Sequence, residues 1–505
     1  MLNSLRTCIV VILAICWQPV GASAADQPNI LMIVVDDLRP MLGCYGDPRA
    51  QTPNIDRLAA RGVVFERAYC QYAKCGPSRL SMMTGLRPDT IGVFDHRNDS
   101  ATRFRKRRPD AVSMARWLKD HGYQTRGLGK IYHDGWNVES DWSSPAFPGR
   151  DREMWEIFDQ SNPAGPTIVA ERFACPVMQN PDVPDNHFFA GRMTDEAIRT
   201  LHKQKLGKPL FLAVGYRRPH LPFIAPQRYY DLHQPDNSWL AQNQNPPHNS
   251  PVMAWFNSDG YVKAALRAKL TMPNPPSREE GPLWNGYEMR SYLGAPNQGL
   301  IDLEMQLKLL QAYAACVSYV DAQIGKLLDE LEQTDRLSNT IIVLCSDHGW
   351  HLGEQSAWSK MTNFEIATRV PFLIVAPGIK PGRTRNLAEL VDLYPTICEL
   401  TGLTKPPHLE GKSQVPSLRQ PEQNRKSVAL SQHTRFREKY MGRALRTDRY
   451  RFVSWFKKKN GHIVERELYD HQTDPLETQN IAGDPNQAVR VKKLEAQLRQ
   501  SFRLP

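Results

Sequence analysis

Two short acidic pairs, one cysteine and a handful of basic residues are the positions in this 505-residue chain whose types and spacing could do chemistry. Asp36-Asp37 follows the apolar run Asn29 to Val35, and Asp347-His348 follows the apolar run Thr340 to Cys345. Adjacent acids at the end of a buried strand repel each other unless a cation sits between them. Two such pairs supply three carboxylates and an imidazole, a donor set suited to a hard divalent cation such as Ca2+ or Mg2+. A single aspartate at a strand end would be an ordinary turn or cap residue; the repetition favours a metal. Cys75 stands just before Pro77, which opens a helix, so its side chain faces the positive end of a helix dipole and free backbone N–H groups. Arg79 follows one turn later on the same side, completing a pocket for an anion of sulfate or phosphate type. A plain cysteine nucleophile would want a histidine and an oxyanion hole beside it. Gly129-Lys130-Ile131-Tyr132-His133, Arg217-Arg218-Pro219-His220 and Lys360 add cations and imidazoles. Taken alone, His220 reads as a surface histidine and Lys360 as a solvated lysine.

The elements that must position these groups alternate along the chain. Asn29 to Val35 is a continuous apolar, β-rich run, the pattern of a strand buried on both faces. Thr52-Pro53 opens a short helix that Gly62 closes, residues 63–70 read as a strand, and Pro77 to Met83 reads as a helix stopped by Gly85. Strands at Gln124–Leu128, Leu210–Val214, Thr340–Cys345 and Phe372–Val375, with a helix from Ile301 to Glu332, continue the pattern. It predicts an α/β fold, an open and mostly parallel central sheet flanked by helices, with chemistry at the carboxyl ends of its strands. Residues 140–190 and 235–300 lack periodicity and read as long loops that shape a pocket. Pro406 to Arg425 reads as a linker, followed by short strands at Ser427–Ser431, Met441–Arg446 and Tyr450–Phe456 and an amphipathic helix at Ala488–Phe502. The expected division is 1–24 as an export signal, 25–421 as a catalytic domain and 422–505 as a small α+β subdomain.

Composition narrows the setting. At 41% hydrophobic and 23% charged residues the chain is globular, which excludes a disordered, collagen-like or polytopic membrane protein. Arg6, the apolar run Cys8 to Trp17 and Ala22-Ser23-Ala24 follow the grammar of a secretory signal. The run is too short to span a bilayer. The expectation is an exported protein without stable membrane insertion, periplasmic or extracellular in a bacterium and lysosomal in a eukaryote. A formal charge of +11 attracts polyanions; export argues against nucleic acid among them. Arg103-Phe104-Arg105-Lys106-Arg107-Arg108 reads as a solvated loop that could touch a polyanionic glycan. Seven cysteines follow the signal, an odd number that leaves at least one unpaired or modified. Cys316 and Cys345 read as buried and inert, whereas Cys75 lies in a polar, basic setting.

Cys75-Gly76-Pro77-Ser78-Arg79 through Thr84-Gly85 resembles the type I sulfatase signature, C-x-P-S-R followed by T-G, and NILMIVVDD, GLGK and SDHG flank it in the family's order. The likeness runs through nearly the whole chain after the signal. It is greatest to the iduronate-type branch, through VVDDLRPMLGCYG, RPDTIGVFD, FLAVGYRRPHLPF, SDHGWHLGE and ELVDLYPTICELTGL. The resemblance implies an alkaline-phosphatase-like α/β domain with a small C-terminal domain. It implies a sulfuric-ester hydrolase that acts on a sulfated carbohydrate, a 2-O-sulfated uronic acid fitting best. Cys75 would be converted to Cα-formylglycine by a sulfatase-maturating partner enzyme. Ca2+ would be held by Asp36, Asp37, Asp347 and His348 and touched by residue 75. In the same transfer Arg79 steadies the formylglycine hydrate, Lys130 and Lys360 bind sulfate, His133 stands beside the geminal diol and His220 near the leaving oxygen. The chemistry is coherent: a hydrated aldehyde offers one hydroxyl to attack sulfur, and its second later expels sulfate. The cations offset charge on the sulfuryl oxygens.

The chain departs from the family pattern at three points. Its spacing is G-K-x-x-H where many members have G-K-x-H, Gly76 stands where Ala, Ser or Thr is commoner, and Cys175 has no equivalent of the disulfide partner found in relatives. Two alternatives remain at this point: a phosphodiesterase or phosphonate hydrolase of the same superfamily, and a non-catalytic glycan-binding relative. The second is disfavoured because each expected catalytic position carries a competent residue.

Overall fold

Strands β1 (Asn29–Val35), β2 (Val63–Tyr69), β3 (Gln124–Gly129), β4 (Leu210–Tyr216) and β5 (Thr340–Ser346) run in one direction and end at one edge of the central sheet. The computed structural model of the chain describes residues 27–96, 100–133, 135–145, 168–169, 172–204, 207–258, 276–423, 425–436 and 438–504. The export signal read at 1–24 falls outside them. The continuous apolar run of β1 is explained by its place in the middle of the sheet. Leu31, Ile33 and Val35 face one hydrophobic cluster, and Ile30, Met32 and Val34 face the other.

Register decides what emerges at the edge. Val35 lies beside Ser346 of β5 and Tyr216 of β4, and Gly129 of β3 lies beside Gly215. The next residues on these strands, Asp36, Asp347, Arg217 and Lys130, therefore leave the sheet side by side. The glycine pair at β3 and β4 is a close approach: Gly129 has φ +67°, and a Cβ there would sit 2.4 Å from the Gly215 carbonyl oxygen.

Strand β7 (Phe372–Val375) runs antiparallel between β5 and β2, as does the short β6 (Arg369–Val370) along β2, while β8 (Gly382–Glu389) pairs with β2 in parallel. The sheet is thus mixed but mostly parallel. Residues 347–368 never cross over the sheet; the chain re-enters from the edge it left and so must run back against β5. Ile301–Glu332 was read as one helix, and Leu303–Gln333 forms it, with the Asp302 side chain accepting the Met305 N–H at 2.8 Å. Its buried Tyr313 donates to the Asp37 carbonyl at 2.8 Å and accepts the Arg39 N–H at 3.0 Å, which ties the helix to the end of β1.

Four antiparallel strands, β9 (Ala429–Arg435), β10 (Tyr440–Arg446), β11 (Tyr450–Lys457) and β12 (Ile463–Asp470), make a second sheet covered by the Ala488–Ser501 helix. Strand β12 was not anticipated, because Glu465, Arg466 and Glu467 interrupt any apolar alternation. The second sheet is not a remote module. On β9, Ser431 Oγ donates to the Cys70 carbonyl at 2.5 Å and Gln432 N donates to Gln71 at 2.9 Å, bracing the loop that leads from β2 to Cys75. The 406–425 stretch read as a linker is packed rather than loose: Val415 and Leu418 are buried in the core, and Glu410 accepts the Arg87 N–H at 2.5 Å. The basic run at 103–108 is also not a loop. Ser100–Arg107 is helical, and Phe104 is buried while Lys106 and Arg107 are exposed. Cys44, Cys70, Cys75, Cys175, Cys316, Cys345 and Cys398 are all free thiols. Among the described residues no helix is long and apolar enough to cross a membrane.

Candidate active site

The Cys75–Thr84 helix begins at Cys75 itself, two residues earlier than Pro77, and every one of its residues is buried. Its first turn points into the edge where the five strands end, and this puts Cys75 among the acidic pairs. His348 Nε2 lies 3.3 Å from Cys75 Sγ, and its Nδ1 faces the Gly349 carbonyl at 3.0 Å. Ser78 Oγ donates to the Asp347 carbonyl at 2.5 Å, pinning the helix to the end of β5.

Arg79 is fully buried and serves two strand ends at once. Its Nε donates to Asp347 Oδ2 at 2.8 Å and its Nη2 to Asp36 Oδ1 at 3.1 Å, while Nη1 donates to the Lys130 carbonyl. Lys130 Nζ donates to Asp36 Oδ2. Lys360 Nζ lies between the oxygens of Asp37, at 2.9 and 3.0 Å, and 5.0 Å from the ring centre of Trp350. Asp37 has φ +60° and its N–H donates to Asp347 Oδ1 at 3.3 Å, which locks the two acidic pairs together. His220 Nε2 is 4.0 Å from Asp37 Oδ2, and its Nδ1 meets the Leu221 carbonyl at 2.6 Å. Nine of the ten residues picked from the sequence, Asp36, Asp37, Cys75, Arg79, Lys130, His220, Asp347, His348 and Lys360, thus form one buried group. The tenth, His133, joins through a ring stack on His96, with centroids 3.9 Å apart.

The electrostatics are uneven. Burial alone would raise the Asp36 carboxyl, but Lys130 and Arg79 outweigh it and hold it well below the usual carboxylate range. Asp37 goes the other way: burial, with the like charge of Asp36, outweighs Lys360 and leaves it well above that range. Burial and the Asp36 charge push the Cys75 thiol up to about 12, so an unmodified thiol here is a poor nucleophile. Burial, then Lys360 and Lys130, hold His220 well below the ordinary imidazole value.

The donor set fits a divalent cation. Ligand atoms of Asp36, Cys75, Asp347 and His348 lie within 4.8 Å of one another, and so do those of Asp36, Asp37, Cys75 and His220. Each group brings two carboxylates and an imidazole to Cys75, and the two share Asp36, an oxygen-rich set that suits a hard cation.

Sequence reading missed three neighbours. Glu288 is buried, 3.5 Å from His220 Nε2 and 3.4 Å from Lys360 Nζ through Oε1. It lies in the non-periodic 235–300 stretch, where nothing in the local pattern marks it. His96 accepts the Gly76 N–H at 3.0 Å, and Trp136 packs edge-on to His133 with ring centres 5.3 Å apart. These two rings account for Gly76: a Cβ there would sit 2.8 Å from both His96 Cδ2 and Trp136 Cη2.

Comparison with known proteins agrees with this geometry. The sulfatase family model matches residues 28–403, and the model for the C-terminal region of N-sulphoglucosamine sulphohydrolase matches 353–503. The chain is 32% identical to iduronate 2-sulfatase of Homo sapiens over 538 residues, covering 92% of each chain. It is 32% identical to a sulfatase of Formosa agariphila over 486 residues, covering 94% of this chain and 86% of that one. Among solved structures, a phosphonate monoester hydrolase of Agrobacterium radiobacter superposes with TM-score 0.71 at 21% identity, covering 94% of this chain and 95% of that one. A 2-O glycosaminoglycan sulfatase superposes with TM-score 0.67 at 22% identity, covering 94% and 91%. At such identities the likeness is one of fold, and it is the alkaline-phosphatase-like fold expected from the sequence.

Proposed function

The chain belongs to the sulfatase family and is a sulfuric-ester hydrolase, and from that premise we propose that it is exported and removes sulfate from a sulfated carbohydrate in the manner of iduronate 2-sulfatase. The observation that carries the reading is the convergence of Asp36, Asp37, Asp347 and His348 on Cys75, with Arg79, Lys130 and Lys360 as the adjoining cations. A 2-O-sulfated uronic acid is the substrate class that the 32% identity to iduronate 2-sulfatase favours. The N-terminal grammar of Arg6, Cys8 to Trp17 and Ala22-Ser23-Ala24 supports export.

Asp36, Asp37, Asp347 and His348 would hold Ca2+, which supplies Lewis acidity toward sulfuryl oxygens. Cα-formylglycine made from Cys75 by a maturating enzyme would supply, as its hydrate, the attacking hydroxyl, a role to which the buried thiol, pushed up to about 12, is ill suited. The chain's own groups do the rest. Arg79 orients the Asp36 and Asp347 carboxylates, and Lys130 and Lys360 bring mobile positive charge to where the sulfuryl oxygens gain charge. The Leu221 carbonyl engages Nδ1 of His220 and leaves Nε2 turned inward; the imidazolium form, favoured once the negative charge of a sulfate ester is bound nearby, would give its Nε2 proton to the leaving oxygen. His133 serves the residue-75 side of the site.

The test is turnover of mass-verified protein, with residue 75 in the aldehyde form, on sulfated uronosyl disaccharides, nitrophenyl sulfate and a phosphonate monoester. Sulfate esters should be turned over and the uronate 2-sulfate best; a preference for the phosphonate, or full activity with a Cys75 thiol, would overturn the reading. His220→Ala should cost about 10²–10⁴-fold on the sugar sulfate. On nitrophenyl sulfate, whose phenolate leaves without protonation, it should cost far less. His133→Ala should slow both substrates evenly, and equal losses for His220→Ala would count against its acid role.

A further inference from the structure

Residues 255–257 and 285–290 together brace the Lys360 loop. Asn257 Nδ2 donates to the Lys360 carbonyl at 2.7 Å, and Asn285 accepts the Asn257 N–H at 2.9 Å and donates to the Trp255 carbonyl at 3.0 Å. Gly286, with φ +73°, sits against Trp358; a Cβ there would meet the Trp358 backbone at 3.0 Å, so the turn hugs the same loop. The brace ends in Glu288, whose two oxygens have different work. Oε2 accepts the Ser359 hydroxyl at 3.0 Å, which fixes the carboxylate plane. Oε1 lies 3.4 Å from Lys360 Nζ and 3.5 Å from His220 Nε2.

The two groups it meets need such a guide. Lys360 is a flexible ammonium with several rotatable bonds, and among the described residues Glu288 and Asp37 are the carboxylates paired with its Nζ. His220 has its Nδ1 against the Leu221 carbonyl, and its Nε2 is turned toward the Glu288 carboxylate. A carboxylate that touches both Nζ and Nε2 sets the distance between the sulfate-binding cation and the leaving-group histidine.

We propose that Glu288 is a positioning residue of this active site, a buried carboxylate that holds Lys360 and His220 in register with each other across the leaving-group side. The proposal rests on the sulfate-ester reading given above. Glu288 acts through its two neighbours and needs no contact with substrate. Supporting groups of this kind typically matter about 10- to 100-fold when removed.

Wild type, Glu288→Gln, Glu288→Ala and Ser359→Ala, each with the residue-75 aldehyde fraction measured, are compared on a sulfated uronosyl disaccharide and on nitrophenyl sulfate. Glu288→Ala should lower kcat on the disaccharide about 10- to 100-fold and on nitrophenyl sulfate several-fold less, because only the former needs His220 in place. Glu288→Gln keeps the shape and the Ser359 contact and should recover part of the loss. Ser359→Ala, which frees the carboxylate without touching either partner, should show the same substrate bias more weakly. An equal loss on both substrates, with a lowered melting temperature, would make Glu288 a structural residue and overturn the proposal. No loss in either variant while wild type is active would overturn it too. Wild type inactive on both sulfate esters would instead bring down the sulfate-ester reading, and this inference with it.

Discussion

Two buried clusters in this molecule have nearly the same residue types and opposite characters. The active site gathers Asp36, Asp37 and Asp347 with Arg79, Lys130 and Lys360. The seam between the two sheets gathers Glu365, Glu477 and His471 with Arg446 and Arg451. By ligand spacing alone the second group could also hold a metal. Its hydrogen bonds argue otherwise. All four carboxylate oxygens are taken: Glu365 by the Tyr69 hydroxyl at 2.8 Å, by Arg446 at 3.0 Å and by Arg451, and Glu477 by Arg451, by His471 at 2.9 Å and by the Glu365 N–H at 2.8 Å. Burial would raise both acids, but the guanidinium groups outweigh it and hold them below the usual range. At the active site Asp37 has both oxygens on a single lysine and stays above that range. Planar guanidinium forks shared between two glutamates make a fastener, whereas single ammonium groups on flexible stems leave charge that can turn to a ligand.

The comparison breaks most visibly at Asp37. Asp37→Ala should cut turnover by about 10²–10³-fold, the scale for losing a group that places transition-state charge, while the melting temperature stays within a few degrees. A collapse of folding instead would make Asp37 another fastener. Next comes the seam. Arg451→Ala strands Glu365 and Glu477 and should cost about 3–5 kcal/mol of stability, read by denaturant unfolding, with kcat per folded molecule unchanged at low temperature. A fall in kcat without a fall in stability would erase the distinction.

A smaller effect sharpens it. Glu467, on β12, is a buried acid with no cation on its oxygens; it accepts from Trp455 Nε1 at 2.7 Å and from the Tyr469 hydroxyl at 2.8 Å. Burial pushes its carboxyl up to about 7. A raised folded value means full stability below the unfolded pKa of about 4.3 and a loss as pH rises toward 7. Glu365 and Glu477, held low, act with the opposite sign: their contribution is present above about 4.3 and lost as pH falls below it. Glu467→Gln should therefore gain on wild type by roughly 2–3 kcal/mol between pH 5 and 7.5 and hold steady beyond. A stability difference independent of pH would show Glu467 to be ionised throughout.

What was legible in the sequence followed from local pattern. The strand β1, the Leu303–Gln333 helix and the acidic pairs at strand ends could be read because apolar runs and the polar residues ending them are contiguous. Asp36, Asp37, Lys130, Asp347 and His348 came together because each sits just beyond a strand, and Cys75 and Arg79 because they start the Cys75 helix, positions that topology delivers to one edge. His220 and Lys360 arrive on the loops that follow β4 and β5. Glu288 was invisible for the converse reason: it meets His220 from the 235–300 stretch, whose sequence has no period to betray it. His96 was missed likewise, and Gly76, noted as a departure, acquires its reason only when His96 and Trp136 are seen filling the space beside it. The antiparallel β7 could not be told from a parallel strand, since both read as short apolar runs. Nor could the packing of residues 406–425, where prolines that suggested slack instead lay the chain against the core.

The burial of Cys75 bears on when the enzyme is made competent rather than on how it works. The residue is 1% exposed, and the helix from Cys75 to Thr84 is buried along its whole length. On the proposed conversion of Cys75 to formylglycine, a maturating enzyme would have to reach a residue that the finished fold encloses with the helix that follows it. Conversion would then have to come before folding is complete. A copy that folded first would keep its thiol for as long as it stayed folded. The specific activity of a batch would be fixed at its synthesis, and later exposure of the folded protein to the maturating enzyme would not raise it.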